Sequence, residues 1–92
     1  MHITDVHFVA AEPHDVRRGL LGFLSFVLDR CLRLDSITVR RTRSGLIRLS
    51  FPVRHDAAGH QHPYIRPIND TARQEIEKAV LRSLPFLEDQ IT

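Results

Sequence analysis

The chain has one cysteine, one tyrosine, four glycines and no tryptophan among its 92 residues. A lone cysteine, Cys31, excludes an internal disulfide framework and a cysteine-built zinc site. No apolar run approaches the roughly 18 residues that cross a bilayer. The longest, Gly19 to Leu28, is interrupted by Ser25 and ends on Asp29. Met1-His2-Ile3-Thr4-Asp5 has neither the basic segment nor the apolar stretch of a secretory signal. These absences predict a cytoplasmic protein with no membrane contact. Chemistry is scarce as well: there is no Gly-rich phosphate loop, and no Gly-x-Ser-x-Gly elbow surrounds Ser25. No catalytic residue, cofactor or enzymatic activity is expected.

What is present suits one small folded domain over residues 1–92, with 42% hydrophobic and 26% charged residues. Net charge is only +2, but its distribution is uneven. From Ser36 to His55 there are five arginines (Arg40, Arg41, Arg43, Arg48, Arg54) and no acid. A chain polarised in this way suits an anionic partner better than its total charge implies.

Alternation over Ile3 to Ala10 places Thr4, Val6, Phe8 and Ala10 on one side and predicts a strand, followed by a polar loop at Glu12-Pro13-His14-Asp15. Leu20 to Leu28 is apolar at nearly every position and reads as a strand buried on both faces. Leu32 and Leu34 share one parity while Ile37 and Val39 share the other, so a bulge is expected at Asp35-Ser36. A three-residue loop Arg43-Ser44-Gly45 pairs Val39 with Leu49, Ile37 with Phe51 and Arg41 with Ile47. That register gathers Thr38, Arg40, Thr42, Arg48 and Ser50 on the opposite face, and Gly45 supplies the left-handed position. Asp56-Ala57-Ala58-Gly59 reads as a hairpin loop leading to a strand over Gln61 to Arg66, irregular at Pro63.

A helix is expected over about 70–84, with Thr71-Ala72-Arg73-Gln74 as capping box and Asp70 in a capping role. Ala72, Ile76, Ala79, Val80 and Leu84 form its apolar stripe, and Glu75/Glu77 read as a solvated polar face. Residues 85–92 read as a short tail after Pro85. The fold expected is α+β: an antiparallel meander of about five strands (about 3–66) with one C-terminal helix. One helix covers one sheet face, so a second copy is the simplest cover for the other. A homodimer through Leu21, Phe23, Leu24 and Phe26 follows.

The order of motifs resembles the stage V sporulation protein G family, small bacterial septation regulators that bind nucleic acid. Ile3-Thr4-Asp5-Val6 matches at the start, and Ser25-Phe26-Val27-Leu28-Asp29 with Cys31 to Val39 resembles the family's second and third strands. Ser44-Gly45-Leu46 is similar to its Asn-Gly-Leu turn. Pro52, Arg54 and Gly59 fall in its basic Pro-to-Gly segment, where its paired basic residues become Arg54-His55. Pro67-Ile68-Asn69 with Arg73 is similar to its Pro-Ile-Asn-Ser helix start. The resemblance implies a dimeric α+β fold, DNA or RNA binding, and a role in cell division or gene expression.

The expected nucleic-acid contacts are Arg40, Arg48, Arg54, His55, Arg66 and Arg73, meeting mostly phosphates because no major-groove helix is evident and Tyr64 is the one candidate stacker. Arg40 and Arg48 oppose each other in the chosen register, a like-charge pair that favours an anion between them. His55, Asp56, His60 and His62 match no established metal spacing, so no metal is expected. Cys31 is expected to be a small buried apolar group. The alternative is an adaptor whose basic face meets an acidic division protein without binding nucleic acid.

Overall fold

The computed structural model describes residues 1–84; the tail expected over 85–92 lies outside the described residues. The elements are β1 (Ile3–Ala10), α1 (Pro13–Arg17), β2 (Leu20–Leu28), β3 (Leu32–Arg41), β4 (Ile47–Ser50), β5 (Val53–His55), β6 (Gln61–Pro63) and α2 (Asp70–Ser83). The fold is α+β, but the sheet is not one five-stranded meander. β1 to β4 form an antiparallel sheet in sequential order, and β5 and β6 pair apart as a two-stranded ribbon. Pro52 and Pro63 explain the break, since neither has an N–H to extend a ladder. The last strand accordingly stops at Pro63 instead of reaching Arg66. The expected loop at Glu12–Asp15 contains α1, started by Pro13 at its first position and closed by the Val16 N–H donating to the Glu12 carbonyl at 3.0 Å.

The β3–β4 hairpin takes the expected register: Val39 opposes Leu49, Arg40 opposes Arg48, and Arg41 opposes Ile47. Gly45 has φ +88°, and its N–H donates to the Thr42 carbonyl at 3.0 Å. The ladder ends at Thr38–Ser50, so the pairing of Ile37 with Phe51 lies beyond it. The bulge at Asp35-Ser36 is present: Leu24 pairs Ile37 and Phe26 pairs Leu34, with Ser36 at φ +60°. Two further irregularities flank β2. The β1 register shifts between Thr4 and His7, with Asp5 at φ +49°, and the β3 register shifts between Leu20 and Gly22. The first brings Ile3, rather than Thr4, to the core with Val6 and Phe8.

The core is one cluster: Leu21, Leu24, Phe26, Leu34, Ile37, Val39, Ile47, Leu49, Val80 and Leu84. Within a single chain β2 is therefore buried on one face only. Leu21, Leu24 and Phe26 are 3%, 2% and 0% exposed within a single chain, whereas Phe23 stays 45% exposed beside its β1 partner Val9 at 65%. Of the four residues expected at a dimer interface, only Phe23 presents substantial surface. Gly22 is required where it stands: a Cβ there would lie 2.5 Å from the Phe8 ring, which crosses over it.

α2 is capped by Asn69, whose side-chain oxygen accepts the Ala72 N–H at 2.8 Å; neither Asp70 nor Thr71 is the cap. Its stripe buries Val80 and Leu84 and packs Ile76 as expected. Glu77 is the exception to the expected polar face. It is buried in that stripe, accepting the Leu49 backbone N–H at 3.0 Å and an Arg73 N–H at 3.1 Å. Cys31, expected to be buried, is exposed in the β2–β3 turn, where its thiol lies 3.6 Å from the Leu28 carbonyl.

Candidate nucleic-acid interface

Strand alternation sets the first part of the site. Val39 and Leu49 point into the core, so their neighbours Arg40 and Arg48 emerge from the other face, directly opposite each other. Thr38 and Ser50 form the next pair on that face, and Phe23 and Val9 continue its row across β2 and β1. Arg40 is exposed and Arg48 half-buried. Among the described residues no acid pairs with Arg40.

The ribbon carries the second part. Arg54 opposes His62 and His55 opposes Gln61, and all four are exposed. Arg66 is exposed beyond β6. The sequence-predicted contacts thus fall on two separate sheets. Arg73 does not join them: its guanidinium donates to Glu77 Oε1 at 3.1 Å and reaches Asp70 Oδ1 at 3.5 Å, and the side chain is mostly covered. It braces α2 through these two carboxylates.

Asp56 organises the ribbon's loop. Its Oδ1 accepts the backbone N–H groups of Ala58 and His60, each at 2.9 Å, while Oδ2 lies 2.8 Å from His62 Nε2 and 3.4 Å from His60 Nδ1. The bond with His62 and then the backbone donors hold its carboxyl below its ordinary 3.8. A carboxylate with a depressed folded value stabilises above its unfolded value and loses that contribution as pH falls through the folded one. The loop is therefore expected to stay ordered from neutrality down to about 3.8 and to open selectively below it. Amide exchange at Ala58 and His60 measures this, and Asp56→Asn should abolish the acid step. An unchanged step in that variant would remove Asp56 from the role. Among the described residues no three His, Cys, Asp or Glu side chains are grouped to hold a metal.

A third basic group was missed by sequence reasoning. Arg17, Arg18, Arg41 and Arg43 surround one opening with Gly19 and Thr42. Arg41 opposes Ile47 as expected, and its Nη2 also reaches the Val16 carbonyl at 3.5 Å. The Arg17-Arg18 pair was visible in the sequence. Its neighbourhood was not, because the Arg41 N–H to Gly19 carbonyl bond of 2.8 Å joins segments far apart in the chain.

Among the described residues no helix is long and apolar enough to cross a membrane. No curated protein matches the chain. The SpoVG family model matches residues 1–84, and the chain therefore belongs to the SpoVG, or stage V sporulation protein G, family of small bacterial regulatory and septation proteins.

Proposed function

We propose that the protein is a homodimeric regulator that binds DNA or RNA mainly through phosphates, acting in septation or gene regulation and not as an enzyme. One observation carries this reading: Arg40 and Arg48 stand directly opposite on the sheet face that turns away from the core, in a stretch without acids from Ser36 to His55. Like charges in cross-strand register repel, and a phosphate between them turns that repulsion into a contact. Arg54, His55 and Arg66 on and beside the ribbon would extend the contact to further phosphates. Tyr64 and Ile68, both strongly exposed after the ribbon, favour a second reading in which the protein is an adaptor docking on a division protein.

Fluorescence anisotropy against single-stranded RNA, single-stranded DNA and duplex, at two salt concentrations, separates the readings. Binding that weakens steeply with salt supports the first. Arg40→Ala and Arg48→Ala are each expected to lower the salt slope by about one for every sequence tried. Both should leave thermal stability unchanged or slightly raised, since a cross-strand repulsion is removed. Absence of binding to all three nucleic acids, together with capture of an acidic protein, would replace it with the adaptor.

A further inference from the structure

Four arginines from distant stretches of chain converge on one shallow cavity of about 270 Å³. Arg17 ends α1 and Arg18 caps it, Arg41 ends β3, and Arg43 lies in the loop that follows. The backbone fixes this meeting. The Arg18 and Gly19 N–H groups donate to the Asp15 and Val16 carbonyls, each at 3.0 Å, and the Arg41 N–H donates to Gly19 at 2.8 Å. Gly19 has φ +100°, and a Cβ there would meet the Arg41 carbonyl at 2.9 Å, so the close approach depends on glycine. Arg41 is steadied by the Val16 carbonyl at 3.5 Å. Among the described residues none of the four arginines forms an ion pair, with Asp15 or any other acid.

We propose that this cavity is a phosphate site that takes the backbone of a nucleic-acid strand, separate from the Arg40–Arg48 pair. The proposal rests on the nucleic-acid reading above. Permanent charges gathered without a counter-charge repel one another, and a bound anion relieves them all at once. Guanidinium forks match phosphate oxygens two at a time, which favours phosphate over a smaller anion. The lining consists of arginine, glycine and threonine alone. With no aromatic or apolar wall, the cavity offers mainly charge and N–H donors, which suits the charged backbone better than a nucleoside.

The test uses the full chain and a labelled single-stranded oligonucleotide. Arg17, Arg18 and Arg43 are exposed, so Arg17→Ala/Arg18→Ala and Arg43→Glu should melt like the parent protein. The double variant is expected to bind about tenfold or more weakly at low salt, with a slope reduced by about 1.4, two single-strand contacts' worth. Arg43→Glu should weaken binding more than Arg43→Ala. If the parent binds and Arg40→Ala weakens it while these variants change nothing, the cavity is not a site and the nucleic-acid reading stands. If the parent binds no nucleic acid, that reading fails and pyrophosphate decides the cavity. Amide NMR shifts at Arg18, Gly19 and Thr42 would keep it as a site for a free phosphate compound, and their absence would remove it.

Discussion

Glu77→Ala is expected to lower stability by about 2–3 kcal/mol and the melting temperature by roughly 10–20 °C. β4 is an edge strand of the sheet, and the Leu49 N–H has its bond with Glu77 Oε2 at 3.0 Å. An edge strand with a free N–H invites pairing with another chain, and α2 closes that site with a carboxylate. Glu77 is only 8% exposed, so alanine would leave the Leu49 donor poorly solvated and Arg73 without its closer partner. The remaining contact, Asp70 at 3.5 Å, is exposed and worth little. Glu77→Gln keeps an acceptor for Leu49 and should recover about half of the loss. Arg73→Ala and Glu77→Ala touch one network, so their effects should add to more than the double variant shows. Chemical denaturation of the four proteins measures this. A loss under about 0.5 kcal/mol in Glu77→Ala would mean that α2 is held by its apolar stripe alone.

Glu77 also shows where reading a sequence stops. Its spacing from Arg73 is local and visible, but its second partner, Leu49, lies 28 residues away. A charged residue between Ile76 and Val80 reads as solvated until the edge strand beside it is known. The β3–β4 hairpin was legible because polar and apolar residues separate in only one register and because Gly45 can take φ +88°. The bulge at Asp35-Ser36 was legible for a related reason: apolar residues stand on both sides of it, and their parity changes. In β2 the same device leaves no trace. Leu20 to Leu28 is apolar at almost every position, so the shift between Leu20 and Gly22 alters no pattern that alternation could reveal. The strand then reads as two-faced, although Leu21, Leu24 and Phe26 join a single core.

The candidate site divides in the same way. Arg40 and Arg48 followed from one hairpin, a local object whose register the residues themselves dictate. The cavity of Arg17, Arg18, Arg41 and Arg43 depends on α1 meeting the far end of β3, and the polar Glu12-Pro13-His14-Asp15 segment that starts α1 carries the signature of a loop. Basic residues could be counted from the sequence. Which of them meet is decided by the Arg41–Gly19 backbone bond, which no periodicity announces.

Phe23→Asp and Phe26→Asp, three residues apart on β2, are expected to fail in different ways. Phe26 is fully buried and packed in the core. A carboxylate there loses the ring's packing, about 3–5 kcal/mol, and adds the desolvation of an unpaired charge. A domain of this size has only about 5–14 kcal/mol in total, so Phe26→Asp should be unfolded or aggregated. Phe23 lies on the outer face with Val9 as its cross-strand neighbour, and the single chain leaves both exposed. Within one protomer the change to aspartate should cost about 1 kcal/mol or less. If a second copy covers the β1–β2 end of this face, leaving Arg40 and Arg48 at the β3–β4 end open, Phe23→Asp buries a charge between two subunits and dissociates them. Light scattering should then report twice 10.6 kDa for the parent protein and one copy for Phe23→Asp, with a cooperative melt retained. A parent protein that stays at 10.6 kDa at micromolar concentration would remove the dimer. The Phe26 result would still stand, because it tests the core of one chain and not the contact between two.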